Sequence, residues 1–231
     1  MYPYAGSASV LPRSTRATGC SCQRVVATAF DPGGRSKGAA RHSLTLPLHS
    51  GQAGSSHQFD AQSRLDLPPG DYEIRVAVAG ATGPASVFTY VNVLPFGTAP
   101  LSLSNIVVAA APKGLVAGAD LLSPLLPVQP TARRTFRQGE PIVALLRIYQ
   151  GTGRSDPLAN VALRFAITDA RGKQVGASAE TVDAAQFGKD RSADHFVKLS
   201  ETLPPGEYLL TVETTIGPRT AGRAMRFTVQ P

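Results

Sequence analysis

Tryptophan is absent, cysteine occurs twice, and aromatic residues make up 6% of the 231 positions. Of the six tyrosines, Tyr2 and Tyr4 sit at the extreme start of the chain. Tyr72 and Tyr208 are needed for packing, which leaves Tyr90 and Tyr149 as rings for stacking on a ligand. No apolar run reaches the roughly 20 residues of a membrane helix. Leu101–Ala111 is interrupted by Ser and Asn, and Gly114–Val128 by Asp and two prolines. The opening MYPYAGSASVLPRSTR has no apolar stretch of the kind a signal peptide needs. Ala17-Thr18-Gly19-Cys20 follows arginines where a lipoprotein leader would have a hydrophobic segment. Neither a membrane span nor an export signal is therefore expected. One residue separates Cys20 from Cys22, a poor spacing for a local disulfide and half of a zinc site, with no second pair to complete it.

Charge is also sparse, at 17% of residues against the usual quarter. The net charge of +7 is spread along the chain, with eight basic against five acidic residues in 1–97 and fifteen against eleven in 98–231. The densest basic cluster, Arg133, Arg134 and Arg137, is too short to track a phosphate backbone. Nucleic acid is not expected as a partner.

Turn formers are plentiful, with 22 glycines and 19 prolines. They divide the chain into short segments, several of which alternate apolar and polar residues with period two, the mark of half-buried antiparallel strands. Tyr72, Ile74, Val76 and Val78 form one such row, Tyr208, Leu210 and Val212 another, and Val161, Leu163, Phe165 and Ile167 a third. The spacing predicts strands near 24–30, 41–48, 57–66, 71–79 and 86–94, then 101–109, 133–138, 141–150, 160–168, 173–182, 194–202, 207–216 and 222–229. A short helical turn is expected only within 183–189. Residues 112–130 read as a long loop of the second half, and 1–22 as disordered or non-homologous.

An internal repeat organises these strands. Leu65–Val78 (LDLPPGDYEIRVAV) parallels Glu201–Thr214 (ETLPPGEYLLTVET). Upstream, Ala27–Arg35 (ATAFDPGGR) parallels Phe165–Lys173 (FAITDARGK), each a strand followed by Asp-x-x-Gly and a basic residue. Downstream, Gly83-Pro84 parallels Gly217-Pro218, and Val87-Phe88-Thr89 parallels Arg226-Phe227-Thr228. Asp-x-x-Gly reads as a hairpin turn and Pro-Pro-Gly as an extended approach to a sharp turn. The repeat implies an all-β chain of two tandem immunoglobulin- or fibronectin-III-like antiparallel sandwiches, 23–96 and 97–231, joined near Pro95–Pro100. Each tyrosine following Pro-Pro-Gly is expected to bond backbone of its own preceding loop, at 64–69 for Tyr72 and 200–205 for Tyr208.

Catalytic patterns do not emerge. There is no Gly-x-Ser-x-Gly elbow and no phosphate loop. His42, His49, His57 and His195 are scattered, and Asp190–Asp194 lacks the ligand density of a calcium loop. No catalytic, cofactor or metal residue is assigned, and the chain is read as a non-enzyme. Should a metal bind, Asp190, Asp194 and His195 are where it would be sought.

Four segments together resemble a known bacterial family: Ala99–Val108 (APLSLSNIVV), Pro130–Phe136 (PTARRTF), Leu146–Gly151 (LRIYQG) and the Leu-Pro-Pro-Gly-acid-Tyr strand. They resemble the region C-terminal to the von Willebrand factor A-related domain of certain bacterial proteins, over about residues 23–231. The resemblance implies a β-sandwich region of an exported or envelope protein. The A domain itself is missing, and so is its Asp-x-Ser-x-Ser metal site, so metal-dependent adhesion does not carry over. The expectation is a non-catalytic binding or spacer module with a protein partner. A carbohydrate- or envelope-binding module is the alternative.

Overall fold

Two copies of one hairpin pattern organise the structure, a computed structural model that describes residues 2–10, 20–47, 59–80, 83–111, 115–151, 156–199 and 203–231. Its strands are β1 (Tyr2–Val10), β2 (Cys20–Phe30), β3 (Ser36–Pro47), β4 (Phe59–Leu67), β5 (Gly70–Gly80), β6 (Gly83–Val93), β7 (Ser102–Leu103), β8 (Val107–Ala110) and β9 (Leu115–Ala117). After the one-turn helix α1 (Ala119–Leu122) come β10 (Thr135–Arg137), β11 (Ile142–Tyr149), β12 (Val161–Asp169), β13 (Gln174–Val182), β14 (Ser192–Leu199), β15 (Gly206–Ile216) and β16 (Arg219–Gln230). The expected turn in 183–189 is a 3-10 turn at Ala184–Gln186, where the Asp183 side chain and Gln186 cap each other's backbone. The chain divides into unit 1, Met1–Leu94 with Pro112–Ala132, and unit 2, Pro95–Ala111 with Arg133–Pro231.

Unit 2 is an immunoglobulin-like sandwich. One sheet runs β14-β11-β7 with β8 also on β11, and the other β10-β16-β15-β12-β13. In immunoglobulin lettering this is A, B and E against A′, G, F, C and C′. All pairings are antiparallel except β10 with β16. Apolar residues of both sheets meet in one core, with Leu103, Leu146, Ile148, Leu163, Leu210 and Phe227 among its buried members.

Unit 1 repeats the C-C′-E-F-G portion as β2, β3, β4, β5 and β6. The order β3-β2-β5-β6 matches C′-C-F-G, and the second sheet is β1-β4-β9. The two Leu-Pro-Pro-Gly strands thus lie in different sheets. The turns repeat in detail. Gly34 N–H donates to Asp31 O at 2.8 Å and Gly172 N–H to Asp169 O at 2.9 Å. Asp31 Oδ1 accepts from Arg35 N–H and Asp169 Oδ1 from Lys173 N–H, both at 2.9 Å. Gly34 and Gly172 take φ of 74° and 79°, which an L side chain rarely adopts. Each tyrosine hydroxyl donates where expected, Tyr72 to Pro68 O at 3.0 Å and Tyr208 to Pro204 O at 2.7 Å.

Four features differ from the sequence reading. The described part of 1–22 is strand: β1, residues 2–10, pairs antiparallel with β4, taking the place that strand B holds in unit 2, and β2 begins at Cys20, while 1 and 11–19 lie outside the described residues. Pro3, Gly6 and a run of small residues conceal its alternation. Residues 112–130 are more than a loop of the second half; they carry β9 and α1 and belong to unit 1. There β9 pairs parallel with β4, buried Gln62 donates its Nε2 to Pro130 O at 3.1 Å, and Thr131 donates its hydroxyl to Asp60 Oδ2 at 2.8 Å. Pro95–Pro100 is not a free linker but is folded into unit 2. Gly151 N–H donates to Ala99 O at 2.9 Å, and the Phe96 ring packs on Tyr149 at 4.7 Å. Finally, the downstream part of the repeat shifts register. Val91 lies opposite Tyr72 as Phe227 lies opposite Tyr208, so Val91, not Phe88, is the counterpart of Phe227.

Candidate functional site

Strand alternation gathers an aromatic and ionic cluster on the outer face of the unit 1 sheet. In β2, Val25, Ala27 and Ala29 turn to the core, which places Phe30 at the end of the opposite row. In β5, Tyr72 and Ile74 turn inward, leaving Asp71, Glu73 and Arg75 outward. The register sets Phe30, Glu73 and Tyr90 in one row across three strands. It sets Arg75 against Phe88 and Asp71 against Asn92.

The side chains are tied together. The Arg75 guanidinium lies 4.9 Å from the centre of the Phe30 ring and pairs with Glu73. Asn92 Nδ2 donates to Asp71 Oδ1 at 2.6 Å. Phe88 and Tyr90 meet edge to face at 5.9 Å. A shallow groove of about 720 Å³ lies among Phe30, Asp71, Glu73, Arg75, Tyr90 and Asn92. All three carboxylates lining the groove are engaged, Asp31 by the Arg35 amide and Lys37, Glu73 by Arg75 and Asp71 by Asn92, so the arrangement suits recognition by ring faces and fixed polar groups.

Unit 2 shows that the scaffold does not require this cluster. Counting from the two tyrosines, Phe88 and Tyr90 correspond to Ala224 and Arg226, Arg75 to Thr211 and Glu73 to Leu209. The same face there is a groove of about 740 Å³ lined by small residues such as Ala166, Ala177, Thr211, Gly222 and Ala224 together with Arg164 and Glu213. The tyrosines and turns are shared, whereas the exposed aromatic rings Phe88 and Tyr90 belong to unit 1.

Tyr90 is exposed, but Tyr149 packs on Phe96 and burial pushes its phenol above the ordinary value. The structure separates Asp190, Asp194 and His195. Asp190 accepts from the Ser192 hydroxyl at 2.7 Å within its own turn. Asp194 takes two hydrogen bonds from Arg147, and this pairing raises the Arg147 pKa. His195 turns to the other face of β14, 3.5 Å from Glu180, and burial lowers its pKa. Among the described residues, no group of three or more His, Cys, Asp or Glu is placed to hold a metal.

His42 meets the Ser63 hydroxyl at 3.0 Å, while His49 and His57 lie outside the described residues. Cys20 and Cys22 lie on β2, opposite Pro47 and Thr45. Arg133 is buried, ion-paired with Glu140 and bonded to Ala111 O, which removes it from any phosphate-facing surface. Among the described residues, no helix is long and apolar enough to cross a membrane. The sequence reading missed Phe30, Arg75, Phe88 and Asn92. The available signal was the absence of any charge between Gly83 and Val93.

No protein-family model and no curated protein matches the chain. Solved structures similar to it include a biofilm-associated protein BSP domain, at 13% identity and TM-score 0.33, over 90% of this chain and 25% of that one. A glycosyl hydrolase family 2 member from Bacteroides cellulosilyticus is similar at 12% identity and TM-score 0.39, over 97% and 28%. The FN1-FN3 domains of chicken CNTN1 are similar at 12% identity and TM-score 0.25, over 90% and 56%. The chain thus spans between a quarter and a little over half of the length of these three structures. The immunoglobulin-like architecture rests on its own strand order.

Proposed function

We propose that the chain is a non-catalytic binding module whose partner is a protein, docking on the outer face of the unit 1 sheet. The two sandwiches would also act as a spacer in a larger exported protein, as the resemblance to the C-terminal region of von Willebrand factor A-related domain proteins implies. One observation carries the reading: Phe88 and Tyr90 are 65% and 73% exposed beside Arg75, at positions where unit 2 has Ala224, Arg226 and Thr211. Aromatic rings and arginine dominate the energetic centres of protein interfaces, because they bury much area at little entropic cost. Exposed, clustered rings on a sheet whose own core does not need them mark an interaction surface.

A second reading, a carbohydrate- or envelope-binding module, draws on the open Tyr90 ring beside the Asp71–Asn92 pair, a ring and polar edge on which a sugar can stack. Replacing Tyr90 with a photoreactive phenylalanine analogue, and Val175 in a control, separates the two. Protein adducts at position 90 and not at 175 support the first reading. Absence of protein adducts, with polysaccharide binding lost in Tyr90→Ala, overturns it in favour of the second.

A further inference from the structure

We infer that the free edge of β6 pairs antiparallel with β6 of a second copy of this chain, joining two unit 1 sheets into one continuous sheet. The proposal rests on the edge of the strand and not on the groove, and goes beyond the binding reading by naming the partner.

β6 ends its sheet, with β5 on one side and, among the described residues, no strand on the other. It is eleven residues long, GPASVFTYVNV, and eight of its residues from Gly83 to Tyr90 are exposed. Long apolar edge strands present an unpaired row of backbone N–H and C=O groups, and proteins ordinarily guard them with charge. Three other edge strands of comparable length are guarded by charge: β3 by Lys37 and Arg41, β13 by Glu180, β14 by Asp194 and Lys198; β1 also has no charge, but Pro3 and Gly6 interrupt it. The equivalent stretch of unit 2 carries Arg219, Arg223 and Arg226. β6 has no charged residue and is rich in Val, Phe, Thr and Tyr, which favour strands.

The core-facing row of β6 also lacks a cover. Val87 lies opposite Val76 on the inward side, yet is 56% exposed. In unit 2, Met225 on the corresponding row is buried in a core to which Leu101, Leu103 and Ile106 contribute. Among the described residues of unit 1, no strand takes the place of that A strand.

Charge and symmetry favour a second copy over another partner. In a chain of net charge +7, most surfaces repel their own copies, whereas a strand without charge does not. β6 runs from Gly83 to Val93 with Phe88 at its centre. An antiparallel pairing about Phe88 therefore uses the whole strand and makes the self-complementary contact that a two-fold dimer requires. It sets Phe88 against Phe88 of the second copy, Tyr90 against Ser86, and Val87 against Thr89. Aromatic pairs and β-branched pairs of this kind are the favourable cross-strand contacts.

The test is sedimentation of the full chain over a range of concentrations, with circular dichroism to confirm folding. The wild type should show a reversible monomer–dimer equilibrium. Phe88→Lys and Phe88→Glu place like charges directly opposite each other, so each alone should weaken dimerisation about tenfold or more while leaving the circular dichroism spectrum that of a folded chain. An equimolar mixture of the two variants should restore the dimer. Arg75→Ala, which alters the groove and not the edge, should leave dimerisation as it is. A wild-type monomer at every concentration, a dimer persisting in both single variants, or no rescue on mixing would each overturn the proposal. A monomer that still crosslinks another protein from position 90 would overturn the self-pairing while supporting the binding reading.

Discussion

Replacing Tyr208 probes the most informative contact of the fold, because one residue combines a buried ring with a single well-placed polar atom. The ring is buried and stacks on Phe227 at 5.5 Å, and its hydroxyl donates to Pro204 O at 2.7 Å. Gly206 lies beneath it, and a Cβ at that position would stand 3.4 Å from the hydroxyl oxygen, so ring and loop form one packed corner. Tyr208→Phe removes the hydroxyl and keeps the ring. A net hydrogen bond contributes about 0.5–1.5 kcal/mol. Pro204 is itself exposed, so water can replace the lost donor, and the cost should fall in the lower half of that range. Tyr208→Ala also removes the ring and should cost about 3–5 kcal/mol through lost transfer energy and the cavity left behind. Tyr72 repeats the geometry, with its hydroxyl 3.0 Å from Pro68 O, so Tyr72→Phe and Tyr72→Ala should follow the same order in unit 1. The absence of tryptophan makes far-ultraviolet circular dichroism in urea the suitable assay. If Tyr208→Ala unfolds at the same urea concentration as the wild type, the tyrosine corner does not hold the unit together and the reasoning fails.

Gly118→Ala should destabilise unit 1. The glycine has φ of 74°, and an added Cβ would stand 2.6 Å from Gln62 O, so the melting temperature should fall by the equivalent of at least about 1–2 kcal/mol. The Asp31 carboxyl, held below the ordinary aspartate value of 3.8 mainly by the Arg35 amide and further by Lys37, should titrate by NMR below a free aspartate. The stability it confers is present above 3.8 and is lost as pH falls through the lowered pKa. His195 should act in the same sense at higher pH. Burial lowers its pKa below 6.5, so below that pH the unfolded chain takes up the proton first and stability declines. His195→Gln should flatten that part of the profile, and an unchanged slope in urea midpoints between neutral pH and pH 5 would contradict the assignment.

Local pattern determined much of this protein. Alternation in 70–80, 161–169 and 206–216 specifies strands because a half-buried strand must present every second residue to the core. Asp-x-x-Gly and Pro-Pro-Gly specify the turns and tyrosine corners because those residues restrict or permit the needed dihedral angles. What the sequence alone left undetermined is governed by non-local pairing. β9 is three residues long, and its strand character comes from its parallel partner β4. β1 becomes a strand because β4 needs a neighbour, although Pro3 and Gly6 argue locally against it. The register of the last hairpin also escaped a comparison of letters. Phe88 and Phe227 sit in similar strings, but pairing with Arg75 turns one ring to solvent while pairing with Tyr208 buries the other. The candidate site shares this origin. Phe30, Arg75 and Tyr90 are far apart in sequence, and only the register of three strands brings them to one face, because side chains meet across strands and not along them.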